Sequence, residues 1–188
     1  MHKEGSFLLS NYAAEIADTD VLSSTDFNPV LQGLYGEVGG IMATAKKHVR
    51  EKSAYPGFKK AAEEEFSDTL WYLAALCRRM QEPLEVIFAE AANHKSFKSV
   101  GAASDLAEGA LAYIAIPVAA PASLDATLVR LGQAAAALLE SGPARADIVS
   151  FARAYLDAIH AAKLAFSDVA RGNLKKARGA FLNPQAAD

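Results

Sequence analysis

The chain has a single cysteine, Cys77, in 188 residues. One thiol excludes an internal disulfide and any cysteine-based zinc cluster. Long hydrophobic runs are also missing. The most apolar stretch, residues 110–122, is shorter than the roughly 20 residues a spanning helix needs, and Pro117 and Pro121 interrupt it. No apolar leader-like stretch follows Met1-His2-Lys3-Glu4. Positive charge is not in excess: the net charge is −3 and the pI about 5.8. That excludes a strongly basic nucleic-acid binder and a polybasic membrane patch. β-branched runs are scarce and no alternating strand pattern occurs. The expectation is a cytoplasmic protein with neither nucleic acid nor membrane as partner.

What is present favours helix. Alanine makes up about a fifth of the chain, and Leu, Glu, Lys and Arg supply much of the rest. A charged fraction of 22% argues against disorder. The length suits one domain or two small fused ones, and is enough for a full core. Breakers recur at Pro29, Tyr55-Pro56-Gly57, Pro83, Gly101, Pro117, Pro121, Gly142-Pro143 and Gly172. Their spacing predicts helices over 6–17, 29–49, 59–80, 83–98, 103–114, 123–140, 144–165 and 167–180. Asn28 is the expected cap of the second, with Pro29 in its first turn. The fold class is therefore all-α, a bundle of about eight helices, divided near Gly101 into units 1–100 and 101–188. The second unit reads as a degenerate, Ala-rich repeat packed on the first. Asn173-Leu174-Lys175 matches Asn93-His94-Lys95, Gln133 stands opposite Glu37, and Arg145 and Ile148 stand opposite Glu65 and Asp68.

The first unit carries the informative acids. Glu65 and Asp68 are three apart and share one helical face. Asp68 leads directly into the apolar run Thr69-Leu70-Trp71-Tyr72-Leu73. Glu37 lies between Leu34-Tyr35 and Ile41-Met42 on the preceding helix. Three acids on core-facing stripes call for a cation, because unpaired carboxylates are costly to bury. Oxygen donors without cysteine or suitably spaced histidine suit Mg²⁺ or Mn²⁺. A second reading makes Glu63, Glu64 and Glu65 a solvated acidic first turn; it accounts for Glu63 but not for Asp68 or Glu37. A di-iron bundle needs Glu-x-x-His pairs, and no histidine here stands three after a glutamate. Tyr72, four after Asp68, shares its face and is placed at the pocket wall. Trp71 is assigned to the core.

Gly33-Leu34-Tyr35-Gly36-Glu37-Val38-Gly39, followed by Glu64-Glu65-Phe66-Ser67-Asp68-Thr69-Leu70-Trp71-Tyr72-Leu73, resembles the MazG-like all-α nucleoside triphosphate pyrophosphohydrolase superfamily. Asn93 and Lys95 also fit, and the resemblance covers about residues 6–100. It implies a helical bundle that assembles as a homodimer. It also implies hydrolysis of a nucleoside triphosphate between the α and β phosphates, to a monophosphate and pyrophosphate. Glu37, Glu65 and Asp68 would hold Mg²⁺ (or Mn²⁺), and Glu64 or Glu37 would take the proton of the attacking water. Lys46, Tyr72, Asn93 and Lys95 would bind substrate; Lys46, near a helix C-terminus, also has an ordinary dipole role. One departure stands out: the family's second glutamate, three after Glu37, is Gly40 here. A nucleotide binder without catalysis, or a helical interaction module, is the competing expectation. If the second unit is a repeat, it would cover the site and supply Asn173, Lys175 or Lys176. The preferred reading leaves those three as surface residues of a last amphipathic helix.

Overall fold

The computed structural model describes residues 9–22, 25–92, 97–98, 116–117 and 123–182. Seven helices occupy most of them. These are α1 (Leu9–Thr19), α2 (Asn28–Glu51), α3 (Phe58–Arg79), α4 (Leu84–Ala92), α5 (Leu124–Ser141), α6 (Arg145–Ala161) and α7 (Phe166–Leu182). The start of α2 differs from expectation. Asn28 is already helical, and the carboxylate of Asp26 accepts its backbone N–H at 2.9 Å. Pro29 does occupy the first turn. Ser123 caps α5, its hydroxyl accepting the Ala126 N–H. The expected fourth helix stops at Ala92. Lys98 lies instead in a two-residue extended segment, Phe97–Lys98, paired antiparallel with Ile116–Pro117. The expected helix over 103–114 lies outside the described residues. Among the described residues, no helix is long and apolar enough to cross a membrane.

The apolar faces of all seven helices meet in one core. Its largest fully buried side chains are Tyr12, Tyr155, Phe66, Phe88 and Phe151. Beyond the hairpin pairs α2–α3 and α5–α6, α2 packs on α5, α3 on α7, and α4 on α6. Exchanging α2, α3 and α4 for α5, α6 and α7 leaves this pattern unchanged. The turns agree. Gln81 and Lys163, 82 positions apart, both take positive φ of 56°. Around Gln81, Met80, Gln81 and Glu82 donate to Leu76, Arg78 and Cys77; around Lys163, Ala162, Lys163 and Leu164 donate to Ala158, His160 and Ile159. On α2 and α5 the buried positions Val30, Leu31, Leu34, Val38 and Ile41 recur 97 places later at Thr127, Leu128, Leu131, Ala135 and Leu138.

These registers replace the ones suggested by the sequence. Asp147 and Ser150, not Arg145 and Ile148, stand in the places of Glu65 and Asp68, and Ala134 rather than Gln133 in that of Glu37. Alanine-rich helices align acceptably at several shifts, so only the turn hydrogen bonds and the burial pattern select one.

Candidate functional site

Two glycines set the approach of α2 to α3. A Cβ on Gly33 would fall 2.1 Å from the Cε1 atom of Tyr72, and one on Gly40 2.1 Å from Oε2 of Glu65. Gly33, Glu37 and Gly40 form one stripe of α2; Tyr72, Asp68 and Glu65 form one stripe of α3. Because Gly33 meets Tyr72 while Gly40 meets Glu65, the helices run antiparallel and Glu37 lies level with Asp68. The carboxylate of Glu65 rests in the space that a side chain at position 40 would fill.

The third wall comes from α7. Lys176 Nζ lies 2.7 Å from Asp68 Oδ2 and 3.4 Å from Glu64 Oε1. Asn173, only 3% exposed, turns its amide nitrogen toward Asp68 Oδ1 at 3.5 Å. Tyr12 of α1, fully buried, donates its phenol proton to Asn173 Oδ1 at 3.0 Å. That bond fixes the amide orientation, since the opposite flip would set a carbonyl oxygen against a carboxylate. Both oxygens of Asp68 therefore face α7. The docking of α7 is secured by Ser67, whose hydroxyl lies 2.6 Å from the Glu63 carbonyl and 2.7 Å from the Val169 carbonyl of α7. Tyr155 of α6 donates to the Phe66 carbonyl at 2.7 Å. At the far end, the enclosed Asp20 side chain accepts from Arg79 and Arg78 and ties the end of α1 to α3.

Electrostatics marks the cluster. Burial, then the charges of Asp68 and Glu65, push Glu37 above the usual carboxylate range. Burial, then Asp68 and Glu64, do the same to Glu65. Burial, Glu37 and Asp68 likewise raise the phenol of Tyr72. Burial would lower the ammonium of Lys176, but its hydrogen bonds and charge pairing with Asp68 and Glu64 raise it instead. Among the described residues, four carboxylates thus share one paired ammonium, a local excess of negative charge that favours protons or a cation.

Glu37, Glu64, Glu65, Asp68 and Tyr72 are brought together at one site. Lys46 is not among them. Nine positions after Glu37, it lies on the opposite side of α2. There it lines a groove of about 470 Å³ between α2 and α5, with Met42, Val49, Asp125 and Leu128. Asn93 and Lys95 lie outside the described residues. Lys175 is exposed, whereas Asn173 and Lys176 belong to the site, against the preferred expectation that both were plain surface residues. Tyr12 carried no sequence signal. Trp71 is half-buried, its indole N–H donating to Thr19 Oγ1 at 3.0 Å.

The donor set consists of hard carboxylate oxygens, the chemistry Mg²⁺ or Mn²⁺ prefers. As the side chains stand, no three His, Cys, Asp or Glu residues among those described converge enough to hold an ion. Glu65 lies against Gly40, and Asp68 is held toward α7. Glu65 can be redirected by rotation of its longer side chain, and Asp68, anchored through Oδ1, can offer Oδ2 when Lys176 moves aside, so the set suits a divalent cation in composition. Comparison with protein-family models, with curated proteins and with solved structures finds no match to this chain.

Proposed function

We propose that this protein is a MazG-like, metal-dependent nucleoside triphosphate pyrophosphohydrolase. The observation that carries the reading is the placement of Glu37 and Glu65 beside Asp68, with both glutamates held toward their protonated forms by burial and mutual repulsion. Such a cluster is costly without a cation and is well suited to one. Glu37, Glu65 and Asp68 would hold Mg²⁺, which when bound neutralises phosphate charge and polarises the phosphoryl oxygens.

The reaction balances simply. The oxygen of a water forms a bond to the α-phosphorus, the bond from that phosphorus to the α–β bridging oxygen breaks, and pyrophosphate leaves. The water proton passes to a carboxylate. Glu64, exposed beside Asp68 and outside the proposed ligand set, or Glu37 would take it. Asn173 and Tyr12 hold Asp68 in place, and Tyr72 lies against Gly33 beside the acids.

A second reading, a nucleotide binder of the same fold without catalysis, is favoured by Gly40. The experiment is pyrophosphate release from a panel of ribo- and deoxyribonucleoside triphosphates with Mg²⁺, Mn²⁺ or EDTA. Metal-dependent release is expected. In Glu65→Gln and Asp68→Asn it should be lost, with the helical circular dichroism unchanged. Turnover like wild type in either variant would refute the site. Metal-dependent nucleotide binding without release would establish the second reading instead.

A further inference from the structure

Among the described residues, Lys176 is the cation that pairs with the acids of the site. Its Nζ bridges Asp68 Oδ2 and Glu64 Oε1. Its side chain is 52% exposed, so the ammonium is held by those two contacts rather than by packing. The acids it touches include one that the metal-dependent reading assigns to the ion. An ammonium and a divalent cation cannot both sit at full strength on the same carboxylate oxygen, because their like charges repel at that separation.

We propose that Lys176 is an internal counter-ion: it occupies Asp68 and Glu64 in the metal-free protein, yields Asp68 when the cation binds, and then pairs with the phosphates of the substrate. The inference rests on the metal-dependent reading above. Three observations argue for the exchange. Asn173 keeps its hold on the other oxygen of Asp68, so the carboxylate stays anchored when Lys176 leaves. Lysine is a flexible point charge with no fixed fork geometry, suited to moving between partners. The triphosphate brings about four negative charges to a site whose acids already repel one another, so a free ammonium beside it has a strong partner.

The exchange predicts effects of opposite sign. In calorimetric titration of the full chain with Mn²⁺ alone, Lys176→Ala should bind the ion about three- to tenfold more tightly than wild type, because a competitor has been removed. With saturating Mg²⁺, the same variant should bind a non-hydrolysable α,β-methylene triphosphate about tenfold more weakly. Lys176→Gln, which keeps the length and polarity of the side chain, should behave as Lys176→Ala does. A merely structural lysine would weaken both affinities or neither, and either result would overturn the proposal. If wild type binds Mn²⁺, Asp68→Asn does not, and the lysine variants show no gain, the counter-ion role fails while the metal site stands. No Mn²⁺ binding by wild type would overturn both.

Discussion

Gly40 gains a physical meaning from the carboxylate lying against it. The resemblance places an acid at this position, yet any Cβ there would meet Glu65 Oε2 at 2.1 Å. The glycine and the posture of Glu65 are therefore one feature, not two. The atom in the way is the end of a flexible chain, so Gly40→Ala is tolerated by rotating Glu65 aside. Glycine inside a helix costs about 0.5–1 kcal/mol relative to alanine. Gly40→Ala should then raise the melting temperature by about 1–4 °C. Turnover should fall by up to about 100-fold, because a ligand is displaced. A stabilised variant with full activity would show that Glu65 does not work from this position. The acids also set a pH signature. The folded-state values of Glu37 and Glu65 lie above their ordinary 4.5. Their contribution to stability is thus complete below 4.5 and is lost as pH rises through the raised values. Asp20 has the opposite sign. Burial pushes it up, but hydrogen bonds from Arg79 and Arg78 outweigh that and hold it below 3.8. Its contribution is present above 3.8 and is lost as pH falls through the lowered value. In EDTA the melting temperature should therefore climb as pH drops from about 7 toward about 5, and decline below about 4. Glu65→Gln should flatten the climb while leaving the acid decline in place. A variant curve that climbs as steeply as wild type would remove Glu65 as its source.

At the scale of the element, α7 decides what the acids on α2 and α3 become. Without it, Asp68 would be a half-exposed carboxylate on a helix face. With it, one oxygen faces a buried amide and the other an ammonium. The acids were legible in the sequence because each interrupts an apolar stripe, and Glu65-x-x-Asp68 fixes a shared face by helical period alone. The helix boundaries were legible for the same local reason: α2, α3 and α5 begin and end within a few residues of their breakers. The contribution of α7 was not legible. Asn173 and Lys176 lie more than a hundred positions from Asp68, and an asparagine and a lysine on an amphipathic helix read the same whether they face solvent or a site. Tyr12 was still less visible, since an aromatic on an apolar stripe is ordinary core, and only its hydroxyl partner shows a second role. Lys46 shows the converse limit: it is close to the acids in sequence, and nine residues turn it to the far side of α2.

At the scale of the whole molecule, the two halves share a packing pattern but not a set of acids. The places of Glu37, Glu64 and Asp68 are taken by Ala134, Ala146 and Ser150, and only Asp147 keeps a carboxylate, in the place of Glu65. That of Asn173 is taken by Ala91. Nearby, Arg145 pairs with Glu82 at 3.0 Å and with Glu90, so its charge is already balanced by acids of the first half. One acid of four provides neither the charge nor the donor count for a divalent ion. The packing pattern nevertheless exchanges between the halves, α3 lying on α7 as α6 lies on α4. The acids stand on the first half, and Asn173 and Lys176 reach them from the second. On the proposed reading, each chain offers one site. Titration with Mn²⁺ and the α,β-methylene triphosphate should saturate at one nucleotide per chain. Asp147→Asn should leave pyrophosphate release unchanged under the conditions in which Glu65→Gln abolishes it. Saturation at two nucleotides per chain, or a loss of release in Asp147→Asn comparable to that in Glu65→Gln, would mean that the second half retains a site of its own and that the asymmetry between Glu65 and Asp147 carries no functional weight.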